Sequence, residues 1–154
     1  MAKNKFSLDF SNFADYAEQL ENLGGDLKRT ADKALQETHK YITDNLERDI
    51  KKHHRSGKLE KSLLRDSTVE WSGNIAEIDV GFDIANGGLS SVFLMYGTPK
   101  HAPANQYGSA SGENPGMQAN KELYNDIYGA RTKREVKKIQ EKIFADEIHK
   151  RMGG

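Results

Sequence analysis

The sequence predicts an α+β fold: a small antiparallel sheet packed by a long helix in the N-terminal half and by a C-terminal helix, with a long flexible loop between. Three patterns carry that expectation. Leu27, Ala31, Ala34, Leu35, Thr38, Ile42, Leu46 and Ile50 recur at three- and four-residue steps, which places them on one face of a helix. Ala76, Ile78, Val80, Phe82 and Ile84 alternate with Glu77, Asp79, Gly81 and Asp83, the period of a half-buried strand. From Gly97 to Met117 neither period survives, and all three prolines fall there. Loops beyond ~12–15 residues are uncommon in compact domains and usually serve a function or stay disordered.

The elements follow in chain order. Phe6-Ser7-Leu8-Asp9-Phe10 alternates as an extended segment covered on one side. A short helix is expected from Asn12 to Leu23, with Phe13, Tyr16, Ala17 and Leu20 on one stripe and Gly24-Gly25 ending it. The long helix runs from Asp26 to His53, a rod of roughly 42 Å at ~1.5 Å per residue. Such a rod outreaches a small sheet, so part of it is expected to project or to rest on another subunit. A helical turn over Lys58 to Leu64 leads into a hairpin. A two-residue Gly73-Asn74 turn sets Trp71 opposite Ala76 and Val69 opposite Ile78, joining apolar faces, and suits turns that need positive φ. Ser91 to Tyr96 is a short buried element whose period separates neither strand from helix. Gln118 to Tyr128 reads as a helix stopped by Gly129. Thr132-x-x-Glu135 is a capping-box signature for a last helix to Met152, with Val136, Ile139, Ile143, Phe144 and Ile148 inward.

At 154 residues the chain is expected to form a single domain over 1–154. Its 23 basic and 23 acidic residues cancel, which argues against a general polyanion binder but leaves room for a local basic patch. There is no cysteine, hence no disulfide or thiolate metal site. No apolar run approaches the ~20 residues of a membrane span, so a soluble, cytoplasm-made protein without membrane contacts is expected. The balance of 36% hydrophobic to 30% charged residues is lean for a lone domain. Either some segments stay disordered alone or subunit contacts complete the burial; composition leaves both open.

Candidate chemistry is sparse. His53 and His54 are adjacent and point about 100° apart on a helix, so they do not chelate as an i,i+4 pair would. His39, His101 and His149 have no partner at a ligand spacing. No Gly-x-Ser-x-Gly elbow surrounds Ser62, Ser90 or Ser91, and neither Gly24-Gly25 nor Gly87-Gly88 precedes a Gly-Lys-Ser/Thr. Glu77 and Asp79 fall on the polar face of a strand, where carboxylates are normally solvated. The expectation is therefore no catalytic residue, no metal and no cofactor. The basic cluster Lys51, Lys52, His53, His54, Arg55, Lys58, Lys61 and Arg65 is more substantial. It reads either as cations favoured at the carboxyl end of the long helix or as a phosphate-facing patch. In the run Val92-Phe93-Leu94-Met95-Tyr96, Val92 and Leu94 are assigned to the core, while Phe93, Met95 and Tyr96 divide evenly between core and interface.

Several of these pieces occur together in one family. A long N-terminal helix, the turn from Arg55 to Ser62, a Trp-containing hairpin and the Phe93–Thr98 element ending in Tyr96-Gly97-Thr98 stand in an order that resembles the bacteriophage neck proteins. These are the "gene-product-ten-like" tail-completion proteins of long-tailed phages, and the likeness spans Leu20 to Ile148. Met95 stands where many members carry an acidic residue, and a longer loop from His101 replaces their compact Pro-rich segment. The resemblance implies an α+β virion protein that forms a ring, taken as sixfold, at the head–tail junction, assembled in the bacterial cytoplasm and without catalysis. The implied partners are copies of itself, the adjacent head-closure or connector protein, the tail-terminator or tail-tube protein, and genomic DNA touched non-specifically in the channel. On that reading Phe93, Met95, Tyr96, Thr98, His101, Asn105 and Tyr107 form the subunit or partner interface. Lys51, Lys52, Arg55, Lys58, Lys61 and Arg65 face the DNA channel or an acidic neighbour. The alternative is a DNA-binding accessory protein using that same cluster.

Overall fold

The computed structural model describes residues 4–9, 13–53, 57–98, 116 and 118–153. In chain order it places β1 (Asn4–Asp9), α1 (Ala14–Asn22), α2 (Leu27–Ile50), α3 (Lys58–Lys61), β2 (Glu70–Ser72), β3 (Ile75–Val80), α4 (Leu89–Tyr96), α5 (Lys121–Tyr128) and α6 (Ala130–Met152). The fold is mixed helix and sheet, as the sequence predicts. The three strands lie in the order β1-β3-β2, with each neighbouring pair antiparallel.

The hairpin register matches the expected one: Trp71 faces Ala76 across the two-residue Gly73-Asn74 turn, and Gly73 takes the positive φ (60°) that the turn needs. β1 joins the other edge of β3 with Leu8 opposite Ala76 and Phe6 opposite Ile78. Paired residues share a face, so one side of the sheet is apolar. The opposite side carries Lys5 among Glu70, Glu77 and Asp79 at 3.5–3.8 Å.

α2 lies against the apolar side of the sheet and organises everything else. Asp26 caps it by accepting from the Arg29 amide at 3.0 Å. Its expected stripe is buried from Ala31 to Ile50. Around the N-terminal half, Ala31, Ala34 and Leu35 pack with Leu8, Phe13, Leu20, Ala76, Ile78, Phe144 and Ile148. Around the C-terminal half, Ile42, Leu46 and Ile50 pack with Leu63, Val80, Phe82, Met95, Leu123, Ile127 and Val136. The long rod therefore does not project. α5 and α6, which touch it along its length, supply the cover that the sheet alone is too small to give.

Other boundaries also depart from the sequence expectation. The strand stops at Val80 because Gly81 turns to φ 106°; Phe82 then bridges Leu63, and Ile84 enters a short 3-10 turn. The run before Gly97 is helical. α6 starts at Ala130, with Gly129 at its N-cap, so the Thr132 capping box does not form. The Thr132 hydroxyl instead donates to the Asn125 carbonyl at 2.7 Å, fastening α6 to α5. The predicted loop falls outside the described residues except for Gly97, Thr98 and Gly116.

Candidate interaction surface

The interface predicted around Phe93 sits on α4. Gly88 starts this helix where a larger residue does not fit, since an added Cβ would lie 2.6 Å from the Asp83 carbonyl oxygen. Gly97 ends it at φ 73°. Ser91 and Met95, four apart, turn inward and are buried. Leu89, Phe93 and Tyr96 lie at i, i+4 and i+7 on the opposite face, where they are 53%, 45% and 58% exposed. Phe93 and Tyr96 thus resolve toward the surface, and Met95 does not: it is buried in the second core cluster. Val92 and Leu94 are half-buried at the flanks.

α5 extends this face. Asn120 caps α5 by accepting from the Leu123 amide at 3.1 Å, while its own amide donates to the Leu94 carbonyl at 2.6 Å. That bond ties the two helices. Tyr124, itself exposed, meets Tyr96 edge-on with ring centroids 5.7 Å apart, and Tyr128 packs on Tyr124 at 5.1 Å. Burial, followed by a hydrogen bond with Tyr96, pushes the Tyr128 hydroxyl up to about 12. The result is a fixed aromatic platform with an open side. Leu89 and Tyr124 were not legible as its members, because the element was expected to begin at Ser91 and nothing local says which side of α5 meets α4. Thr98 ends the described part of this region; His101, Asn105 and Tyr107 lie outside the described residues.

The basic cluster is not a uniform positive field. Lys52 pairs with Glu122 of α5 at 2.6 Å and with Asp49 at 3.4 Å. Arg65 pairs with Glu47 at 3.1 Å and donates to the Glu60 carbonyl. Lys51, Lys58 and Lys61 are exposed, and Arg55 lies outside the described residues. The fold brings acidic residues of α2 and α5 onto a stretch that reads as basic in the chain. His39, one of the candidate histidines, is buried, and its Nε2 lies 2.8 Å from the Leu64 carbonyl. It fastens α2 to the chain after α3.

A carboxyl pair joins α2 to α5 beneath a cleft of about 830 Å³ whose walls include Tyr41, Arg48, Glu122, Asn125 and Arg131. Burial drives the Asp126 carboxyl up to about 8, helped by the neighbouring Asp49. Burial also opposes ionisation of Asp49. However, hydrogen bonds from Arg48 and Asp126, the Arg48 charge and a hydrogen bond from Lys52 together hold it below its ordinary 3.8. Near neutral pH Asp126 carries the proton and Asp49 the charge. Asp49 is only 1% exposed, and Asp126 Oδ2 is buried without a hydrogen-bond partner. Both carboxyls line that cleft, and their contact ties α2 to α5. The members of the pair are 77 positions apart in the chain, so no local spacing signals it.

No protein-family model, curated protein or solved structure matches this chain.

Proposed function

We propose that the chain is a structural protein of the phage neck, forming a ring of identical subunits at the head–tail junction and acting by assembly. The observation that carries this reading is the open aromatic face Leu89–Phe93–Tyr96 with Tyr124 beside it. Four large apolar side chains on two rigidly tied helices have the composition of an interface anchor, in which aromatic residues dominate the binding energy. The lean composition and the family resemblance of the Phe93–Thr98 element point the same way.

The test is native mass spectrometry and light scattering of the purified chain beside the double variant Phe93→Ala/Tyr96→Ala. The wild type is expected to assemble and the variant to remain a folded monomer. Equal masses for the two would overturn the reading. Deleting residues 104–115 is likewise expected to leave a folded protein that no longer joins heads to tails in an assembly extract.

The rival, a DNA-binding accessory protein, finds support in a different place from the expected cluster. Arg131, Arg134, Lys138 and Lys142 form an exposed stripe along α6. A binder making several phosphate contacts loses affinity steeply as salt rises. Lack of duplex binding even at low salt would remove this rival.

A further inference from the structure

Two exposed helix faces of the molecule carry opposite charge, although the sum is zero. From Phe6 to Leu27 there are five acidic residues (Asp9, Asp15, Glu18, Glu21 and Asp26) and no basic one. On α1, Asp15, Glu18 and Glu21 are exposed, spaced i, i+3 and i+6 on the side away from Phe13 and Leu20. They make no ion pair among the described residues, and Leu23 lies exposed at the end of the same helix. The region of α5 and the first half of α6 is the reverse. Between Arg131 and Lys142 six basic residues face two acidic ones, Glu135 and Glu141. Arg131, Arg134, Lys138 and Lys142, at i, i+3, i+7 and i+11, form one exposed stripe in which, among the described residues, only Lys138 has an ion-pair partner, Glu135 at 3.4 Å. Lys121 adds a cation one turn before Tyr124 on α5.

These two surfaces do not neutralise each other within one chain. α1 packs on the C-terminal half of α6, where Phe13 stacks on Phe144 at 5.6 Å and Arg151 donates to the Gly24 carbonyl at 3.0 Å. The basic stripe begins at Arg131, roughly 20 Å along α6 from Phe144 at ~1.5 Å per residue, and runs back toward it as far as Lys142. The open aromatic face lies by the start of that stripe, since α4 and α5 share the second core cluster with Val136 of α6.

We infer that the aromatic face of α4 and α5, flanked by the cations of α5 and α6, receives the acidic α1 of a second copy of this chain, head to tail. This rests on the ring reading above and names the contact that would build the ring. A contact between two different surfaces of identical subunits is heterologous, and repeating it closes a ring when the rotation permits. The apolar side chains supply affinity, while the opposed charges set the register and exclude the like-charged face. Exposed ion pairs are individually weak, so their part is orientation and encounter rate, and the assembly should loosen as salt rises.

The experiment uses two full-length charge reversals. One carries Asp15→Lys, Glu18→Lys and Glu21→Lys; the other carries Arg131→Glu, Arg134→Glu and Lys138→Glu. All six positions are exposed, and circular dichroism checks that both variants stay folded. Each alone is expected to lose the assembled species by native mass spectrometry at low salt. An equimolar mixture is expected to regain it as an alternating assembly, because each variant then meets its complement at both faces. Reversals that leave assembly intact, or a mixture that does not recover, would overturn the inference while the ring reading stands. A wild type that stays monomeric at every salt concentration would overturn both. Should the basic-reversed variant lose duplex-DNA binding while assembling normally, the stripe serves nucleic acid and the inference is again overturned.

Discussion

Around the N-terminal half of α2 the core is built on an aromatic stack: Phe13 packs on Phe144, and Leu8, Leu20 and Leu35 close around them. Around its C-terminal half Leu46, Ile50 and Leu123 pack beside the Asp49–Asp126 carboxyl pair, and α4 leaves three of its large apolar side chains in water. The first region buries Phe13 and Phe144 in its core and leaves Leu23 and Ile75 at its surface. The second keeps a buried carboxyl whose ionisation opposes folding, and it holds Leu89, Phe93 and Tyr96 out of the core. A chain with few apolar residues places its aromatics outside only at a cost in burial, so the contrast marks the second region as the one that needs a partner.

The contrast is broken most directly in the first region. Phe144→Ala removes a fully buried ring and is expected to cost about 3–5 kcal/mol in urea unfolding. A loss below ~1 kcal/mol would mean that this half is not the anchor of the fold.

The carboxyl pair sharpens it next. Folded Asp126 holds its proton to about pH 8, whereas the unfolded chain releases it near the ordinary ~3.9. The folded state therefore binds the extra proton between those values. That contribution is complete below ~3.9 and is lost as pH rises through about 8. Asp49, held below 3.8, acts in the opposite sense: its contribution is present above that value and is lost as acid protonates it. Asp126→Asn keeps a donor toward Asp49 without a titrating proton. Its stability advantage over the wild type is expected to grow from pH 5 to pH 8, reaching on the order of 1 kcal/mol after discounting for partial solvation. Parallel pH profiles for the two proteins would show that the pair does not couple as described.

The smallest expected effect lies on the open face. Phe93→Ala should change monomer stability by no more than about 0.5 kcal/mol, as at other surface positions. A loss of ~2 kcal/mol would reassign Phe93 to the core and erase the contrast.

Much of the fold was legible from period alone. The α2 stripe, the inward residues of α6 and the Trp71–Ala76 register all follow from which side chains must leave water, and those patterns are local. Phe93 and Tyr96 were legible only as candidates, because a five-residue apolar run has no phase until its backbone is known. Once Leu89–Tyr96 is a helix, the four-residue spacing that buries Met95 turns Phe93 outward. The charge balance of the basic cluster was not legible for a related reason: Glu122 and Glu47, which pair with Lys52 and Arg65, arrive from other elements.

The sequence by itself determined the helical and strand periods, the hairpin turn and the absence of thiol chemistry, since each depends on residue type and short-range spacing. Only the tertiary structure decided which apolar residues stay wet, which charges meet, and that Asp126 lies beside Asp49. Burial and Coulomb energy depend on distances between elements, and those distances are set by how α2, α5 and α6 pack.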